Sequence, residues 1–219
     1  MPKLLSVLFA ALALLSACSS APKPPVAVED TTSPRWKISE GPALEKTDKV
    51  RIDISLASST AQLLAGEDAV LAEMDVSPGL PGHLTPPGSY RVKEKLPLKR
   101  SNLYGQYVRP DTREVVVARA WEHKGPRPDG TVYQGIAMPF WLRVTADGVG
   151  IHVGGFSRGQ PSSHGCVRCP EEPQRFFWEK CRVGTPVRIH HGEHQAPSLL
   201  NPPPLVTGQP PAVPSQPAS

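Results

Sequence analysis

A cysteine and two histidines in the second half of the 219-residue chain have the types and spacing needed for covalent catalysis. His152 lies fourteen positions before Cys166, and His164 lies two positions before it. A thiol is a good nucleophile only as the thiolate, and a nearby imidazole can take its proton. His164 shares a face with Cys166 if the segment is extended, whereas a loop could fold His152 back onto the thiol. Both histidines are therefore candidate bases.

Two neighbours of Cys166 are suited to binding a substrate. Gly165 lets the backbone approach a carbonyl closely, and backbone N–H groups around Cys166 could hold an oxyanion. Arg168 could bind a carboxylate through paired N–H donors. This chemistry predicts a Cys–His acyl transferase or hydrolase. Disulfide cysteines and surface histidines would account for the same residue types, so the motif alone leaves both interpretations open.

The elements around these residues are mostly short strands separated by Gly, Pro and Asp turns. Alternation with period two predicts a half-buried strand over 50–55. We predict further strands over 61–64, 69–74, 89–92, 115–118, 141–145, 149–153 and 186–190. A helix is predicted over 171–181, because it follows Pro170 and is acidic in its first turn. Apart from the strand over 115–118, residues 95–140 resist assignment, and we predict that they form a long excursion over one face. The domain as a whole is predicted to be mainly β, a sandwich or partial barrel.

The N-terminal segment indicates export and lipid anchoring. Lys3 precedes an apolar run over 4–15, which is too short to span a bilayer and has the length of a signal-peptide core. The run ends in Leu-Ser-Ala before Cys18, which resembles the lipobox of bacterial lipoproteins, and a lipidated Cys18 would become the mature N-terminus. An ordinary secretory signal with an incidental cysteine is the alternative. Ser19 after Cys18 favours the outer membrane in a cell with two membranes.

Both ends of the chain have compositions that do not form a core. After a signal peptide over 1–18, residues 19–48 begin with Ser and Pro and predict a tether, and the proline-rich residues 193–219 predict a disordered tail. The remaining residues 49–192 have the length of one domain. The net charge of +4 is small and spread along the chain, so we predict no nucleic-acid partner.

The motif and its surroundings resemble the L,D-transpeptidase catalytic domain (the YkuD type). The signature is Gly-Ile-His at 150–152 followed by Ser-His-Gly-Cys-Val-Arg at 163–168. The similarity runs from about residue 49 to 191 and includes the opening strands at 52–62, the Thr-Pro turn at 85–90, the strand at 138–143 and the closing strand at 184–187. The resemblance implies an L,D-transpeptidase-like β-sandwich or partial barrel with one late helix and a long lid-like insertion.

The resemblance also implies a reaction on peptidoglycan. Cys166 would attack the carbonyl at position three of a tetrapeptide stem and release the terminal D-alanine, with His152 as its base. The further site residues that it implies are Gly165 with Cys166 in the oxyanion hole, His164 and Arg168 in the donor site, Ser163 as a loop-orienting residue, and Tyr104 in a lid. It requires no metal and no organic cofactor.

Three fates of the resulting thioester remain open at this point. An amine of a second stem would give a 3→3 cross-link, a lysine of an outer-membrane protein would anchor that protein, and water would make the enzyme a carboxypeptidase or endopeptidase. A non-catalytic alternative is a wall-binding lipoprotein that has lost activity. In each case the expected partners are peptidoglycan stem peptides and, through the N-terminal lipid, a membrane facing the periplasm or cell wall.

Two remaining motifs need an interpretation. Cys166 and Cys169 form a C-x-x-C, but a thioredoxin-like redox site would open a helix inside a βαβ unit, and the surroundings here are strand-rich. We predict a disulfide between Cys169 and Cys181, the alternative being a pairing of Cys169 with Cys166 that would inactivate the nucleophile. The histidine-rich residues 190–194 lie where the fold ends, with no second ligand group nearby in sequence. They predict a solvated basic terminus and no metal site.

Overall fold

The computed structural model describes residues 33–39, 49–156 and 158–202, which contain eleven strands and one helix. In chain order the elements are β1 (Trp36–Ile38), β2 (Val50–Ser55), β3 (Thr60–Ala65), β4 (Ala69–Asp75), β5 (Gly88–Arg91), β6 (Glu94–Val108), β7 (Val115–Val117), β8 (Val132–Arg143), β9 (Gly150–Val153), β10 (Val167–Cys169), α1 (Glu171–Lys180) and β11 (Pro186–His190). None of the helical residues described forms a segment long and apolar enough to cross a membrane.

The strands form two mixed sheets. The first has the order β1-β4-β3-β2-β11-β5 and the second the order β10-β9-β8-β6-β7. Within these sheets β2 pairs with β11 and β9 with β10 in parallel, and the other pairs are antiparallel. The parallel pair of β9 and β10 matters most for function, because it joins the two halves of the Cys–His motif.

Apolar side chains from both sheets form one core. The largest fully buried ones include Ile52, Ile54, Leu63, Leu71 and Met74 from the first sheet, Leu142 and Ile151 from the second, and Phe177 from α1. α1 follows Pro170, has Glu171 and Glu172 in its first turn, and places Phe177 in the core. Acidic side chains are favourable at a helix N-terminus. The structure therefore confirms the predicted mainly β fold with one late helix.

Residues 95–140, which fit no element on sequence patterns, are mostly strand. β6 and β8 are the longest strands, 15 and 12 residues, and they pair antiparallel. Pro97 and Pro139 lie inside them, and proline cannot donate to a β-ladder, so sequence patterns argue against strands there. The pairing of β6 with β8 nevertheless continues on both sides of each proline.

An insertion in β6 shapes the later site. Arg100 pairs with Ala137 and Gly105 pairs with Gly135, so residues 101–104 of β6 stand opposite the single residue Ile136 of β8. A Cβ on Gly135 would lie 2.0 Å from the Ser101 carbonyl oxygen, so only glycine allows this close approach. The bulge directs residues 101–104 out of the regular ladder.

The chain ends are more ordered than their composition predicts. β1 lies in the predicted tether and pairs with β4, so the tether prediction is wrong for residues 36–38. Residues 193–202 of the predicted disordered tail pack on the first sheet, where the Ser198 hydroxyl donates to Glu73 at 3.0 Å. This segment covers the polar face of β2, and β2 is therefore buried on both faces, not half-buried as predicted. Cys18 and residues 203–219 lie outside the described residues.

The histidine-rich segment also differs from its prediction. His190 and His194 both contact the carboxylate of Asp53 on β2, at 3.0 and 2.7 Å. The side chain of His194 is only 7% exposed. The prediction of a solvated basic terminus is therefore wrong for these two histidines, because the parallel pairing of β11 with β2 brings them to a residue about 140 positions earlier.

Candidate active site

Parallel pairing of β9 and β10 places the predicted nucleophile and base on one face of the second sheet. In this pair Arg168 lies opposite His152, and Val167 lies opposite Ile151. Cys166 directly precedes β10. Because side chains alternate along a strand, Cys166, Arg168 and His152 face one side of the sheet, while Val167 and Ile151 face the core.

A cavity of about 340 Å³ opens on this face. Six residues predicted to form the site line it: Tyr104, His152, Ser163, His164, Cys166 and Arg168. The long hairpin supplies much of the remaining wall through Ser101, Ile136, Ala137 and Met138. The bulge in β6 is thus the feature that brings Tyr104 to the thiol from more than 60 positions away in sequence.

His152 is held in a form that can accept a proton. The residue is 5% exposed, and Trp141 packs beside its ring with 5.7 Å between ring centroids. Nδ1 lies 2.8 Å from the Val153 carbonyl oxygen, which can only accept, so Nδ1 carries the hydrogen and Nε2 carries the lone pair. Burial lowers the pKa of His152 from 6.5 to about 4. The Val153 hydrogen bond raises this pKa, and the positive charge of Arg168 lowers it, both by less than burial does. At neutral pH the imidazole is therefore an uncharged base.

The Cys166 thiol is also uncharged at rest. Burial raises its pKa, and this effect outweighs the opposing hydrogen bond from the Gly150 backbone and the Arg168 charge. Arg168 thus favours the thiolate of Cys166 and disfavours protonation of His152. The Cys166 thiol and the His152 imidazole, which line the same cavity, are therefore both uncharged at neutral pH.

Hydrogen bonds within the loop before Cys166 fix its backbone. The Ser163 hydroxyl donates to the Cys166 carbonyl oxygen and accepts from the Gly165 N–H at 3.1 Å. Gly165 has φ +108°, a conformation that L-residues with a Cβ rarely adopt. The Gly165 N–H therefore already has a hydrogen-bond acceptor within the loop, and a glycine at this position allows the backbone to turn. The Ser163 hydroxyl thus bridges two backbone groups of this loop.

Thr85 supports this loop from the first half of the chain, a role that the sequence motif did not reveal. Its hydroxyl donates to the Gly165 carbonyl oxygen and accepts from the Gly79 N–H, each at 2.9 Å. Thr85 is 2% exposed. The residue lies in the Thr-Pro turn noted in the sequence, but its partner is 80 positions away, so sequence spacing carries no signal of the contact.

Aromatic rings stack at the mouth of the cavity. His164 lies between His83, at 4.3 Å, and Tyr104, at 4.7 Å between ring centroids, and Tyr104 contacts Trp121 edge-on at 5.4 Å. His164 is exposed, unlike the buried His152. It lines both this cavity and a neighbouring groove. His83 and Trp121 were not predicted from the sequence, because they lie in segments without a recognisable pattern.

A second groove reaches Cys166 from another direction. Its volume is about 430 Å³, and it shares Ser101, Tyr104, Met138, His164 and Cys166 with the first cavity. Its far end contains the charged side chains of Lys99, Arg143 and Asp147. Both cavities therefore border Cys166.

The predicted disulfide between Cys169 and Cys181 is absent, because Cys166, Cys169 and Cys181 are all free thiols. Cys169 precedes α1 and Cys181 caps its C-terminus. A helix of 10 residues is about 15 Å long, whereas a disulfide needs Cα atoms within about 7 Å. The intervening helix therefore keeps the two cysteines apart.

The alternative pairing of Cys166 with Cys169 is excluded by strand geometry. Residues three apart in an extended segment face opposite sides and lie about 10 Å apart. Cys169 is fully buried in the core, while Cys166 lines the cavity. Cys166 therefore has no disulfide partner among the described cysteines, and the C-x-x-C spacing is not a redox pair.

Comparison with known proteins identifies one family. The pattern described as the L,D-transpeptidase catalytic domain (YkuD) matches residues 49–189. Similar solved structures include an L,D-transpeptidase from Mycobacterium smegmatis (18% identity, TM-score 0.47, covering 65% of this chain and 58% of that one). Another is from Stackebrandtia nassauensis (17% identity, TM-score 0.46, covering 70% and 58%). The L,D-transpeptidase 1 of Mycobacterium tuberculosis is 19% identical (TM-score 0.43, covering 64% and 61%). The chain thus spans about three fifths of these proteins, and no curated protein matches it.

Proposed function

Because the chain belongs to the family of L,D-transpeptidase catalytic domains, we propose that it is a peptidoglycan L,D-transpeptidase with Cys166 as nucleophile. The observation that carries this proposal is the meeting of two grooves at Cys166. A transferase must admit an acyl donor and an acyl acceptor to one sulfur, whereas a hydrolase needs one groove and water. The second groove therefore favours transfer over hydrolysis.

Acylation begins with attack of the Cys166 sulfur on the carbonyl carbon of the third stem residue. His152 Nε2 takes the thiol proton as the C–S bond forms. The tetrahedral intermediate then collapses, the C–N bond to D-alanine breaks, and His152 returns the proton to the leaving amine. The neutral resting state of His152 suits this role, because a base that is already protonated could not accept the thiol proton.

Deacylation uses the same base in the reverse sense. An acceptor amine attacks the thioester carbonyl, His152 takes a proton from that amine, and the expelled Cys166 sulfur recovers it. We place the donor in the first cavity, where Arg168 can hold the D-alanine carboxylate through paired N–H donors. The acceptor enters the second groove, where Asp147 can attract an ammonium group. His164 and Tyr104 border both grooves and would separate the two substrates.

The test is muropeptide analysis of sacculi incubated with the purified protein. We expect new 3→3 dimers from the wild type, none from Cys166→Ala, and undiminished amounts from Cys169→Ala, which removes a buried thiol with no place in the mechanism. Intact-mass analysis with a D-alanyl tetrapeptide should show a thioester adduct that Cys166→Ala lacks.

Other products would point to the other candidates. Shortened stems without dimers would indicate a hydrolase, and a tripeptide attached to a protein lysine would indicate protein anchoring. Equal binding to sacculi by wild type and Cys166→Ala, with unchanged muropeptides, would indicate a catalytically silent wall-binding protein. An acyl adduct on Cys169 or Cys181 in the Cys166→Ala variant would refute the assigned nucleophile.

We further propose that the protein is an exported lipoprotein of the outer membrane, facing the periplasm. Support comes from the apolar run over 4–15, from the lipobox-like residues before Cys18, and from Ser19 after it. Incorporation of labelled palmitate should depend on Cys18 and disappear in Cys18→Ala. Equal labelling of both proteins would contradict lipidation at this residue.

A further inference from the structure

A carboxylate and two imidazoles converge on the face of the first sheet that the C-terminal segment covers. Asp53 Oδ2 lies 3.0 Å from His190 Nε2 and 2.7 Å from His194 Nδ1. All three atoms lie within 4.8 Å of one another. The residues come from three parts of the chain: β2, the end of β11 and the segment after it.

The spacing of these atoms suits a small divalent ion. In a tetrahedral zinc site with bonds of about 2.0–2.1 Å, ligand atoms are about 3.3 Å apart. The two distances to Asp53 Oδ2, 3.0 and 2.7 Å, are shorter than this, as hydrogen bonds are, so an ion needs an outward movement of the two rings. The side chains of Asp53 and His194 are each less than a tenth exposed, while that of His190 is 19% exposed. Water therefore has access on the His190 side.

Neighbouring residues already orient the ligands. The Arg188 Nε donates to Asp53 Oδ1 at 2.6 Å, which leaves Oδ2 to act as a single ligand atom. His194 Nε2, the ring nitrogen away from Asp53, lies 2.9 Å from the Thr60 hydroxyl. Metal-bound histidines nearly always have such a partner on the second nitrogen, which sets the tautomer. The Thr60 hydroxyl can both donate and accept, so it fits His194 with or without an ion.

The ligand types of the site suit zinc. The Asp53 carboxylate faces both imidazoles through Oδ2. Two imidazoles and one carboxylate are ligands that zinc prefers, whereas calcium and magnesium prefer oxygen alone.

We propose that Asp53, His190 and His194 form a zinc-binding site that fastens the C-terminal segment to the first sheet. Zinc bonds to Asp53 Oδ2, His190 Nε2 and His194 Nδ1, and water completes the coordination. The site shares no residue with the grooves at Cys166, so its role is structural. It reverses the expectation from the sequence alone, in which the histidines had no second ligand group nearby.

The structural consequence follows from where the segment goes next. After His194 the chain continues to Ser198, whose hydroxyl donates to Glu73 at 3.0 Å, and Gln62 reaches the Pro197 carbonyl at 3.5 Å. A zinc ion at His194 would hold the start of this segment, so that its later contacts with β3 and β4 form within an already closed loop. Zinc binding should therefore raise thermal stability without changing the chemistry of the thiol.

The test is metal titration of the full chain carrying Cys166→Ala, which removes the cavity thiol as a competing ligand. We expect one Zn²⁺ per chain with micromolar or tighter affinity, by isothermal titration and by elemental analysis after dialysis. Co²⁺ at the same site should give the visible absorption of tetrahedral N/O coordination without a sulfur charge-transfer band. Zn²⁺ should displace it and should raise the melting temperature.

Variants separate this site from adventitious binding. Asp53→Asn and His194→Gln should each weaken Zn²⁺ binding at least a hundredfold, and Thr60→Val about tenfold, the usual range for an orienting partner. His191→Gln, which changes an exposed neighbouring histidine, should bind as the parent does. Circular dichroism checks that each variant is folded. No Zn²⁺ bound to the parent, a sulfur charge-transfer band with Co²⁺, or unchanged affinity in folded His194→Gln would each overturn the proposal.

Discussion

Replacing Thr85 by valine should destabilise the loop that leads to Cys166. Valine has nearly the same shape as threonine but has no hydroxyl, so packing is kept while the hydrogen bonds are lost. Thr85 Oγ1 accepts from the Gly79 N–H and donates to the Gly165 carbonyl, both at 2.9 Å. Gly79 and Gly165 are themselves buried, so water cannot easily replace the hydroxyl.

The magnitude follows from the two backbone groups left without a partner. An unsatisfied buried donor or acceptor costs about 1–3 kcal/mol, so Thr85→Val should lower the free energy of unfolding by about 2–6 kcal/mol. Part of this loss falls on the backbone next to Cys166, because the Gly165 carbonyl belongs to the peptide group that includes the Cys166 N–H. We therefore also expect slower thioester formation.

Urea unfolding measures the first effect and intact-mass acylation kinetics the second. Thr85→Ser is the matched control, since it keeps the hydroxyl and loses only a methyl group. It should cost less than half as much stability as Thr85→Val and should acylate nearly as fast as the wild type. Equal unfolding free energies for the valine and serine variants would refute the reasoning, because the hydroxyl would then contribute nothing.

Three further predictions concern buried groups near the site. Burial lowers the pKa of His152 from 6.5 to about 4, so between these pH values the unfolded chain binds a proton that the folded chain does not. About 3 kcal/mol of the free energy of unfolding, present above pH 6.5, should therefore be lost as the pH falls through 4. In urea titrations at several pH values, His152→Gln should flatten this dependence. Iodoacetamide at pH 8 should modify Cys166 before Cys169 or Cys181. Cys169 and Cys181 are both buried, and burial raises the pKa of Cys181 to about 12. Peptide mapping measures the order of modification, and earlier labelling of Cys169 or Cys181 would contradict this prediction. Gln174 donates to the carbonyls of residues 140 and 151, so Gln174→Leu should cost about 1–3 kcal/mol, and an unchanged urea midpoint would contradict this.

Local sequence patterns correctly predicted the strands and the helix whose residues follow the usual alternation, apolar runs or helix-start signals. The strands over 50–74 and the closing strand 186–190 alternate or run apolar between clear turns, and α1 has its proline and acidic residues at the start. The hairpin of β6 and β8 could not be predicted, because Pro97 and Pro139 argue against strands at these positions. In the folded protein the two strands pair on both sides of each proline.

Long-range contacts explain the errors at the chain ends. The segment over 193–202 has the composition of a disordered tail, but Glu73 and Asp53 supply hydrogen-bond partners that only the folded sheet presents. The cysteine pairing failed for a geometric reason, since a straight helix separates Cys169 from Cys181 and strand alternation separates Cys169 from Cys166.

The sequence by itself determined which atoms can react, because a thiol, an imidazole and a glycine at this spacing are a property of residue types and of their order along the chain. The tertiary structure decided how they react and what else they meet. Burial in the cavity wall sets the protonation of His152 and Cys166, the bulge at 101–104 lines the second groove, and the β2–β11 pairing brings Asp53 to the C-terminal histidines. Each of these depends on contacts between distant residues, which no local pattern records.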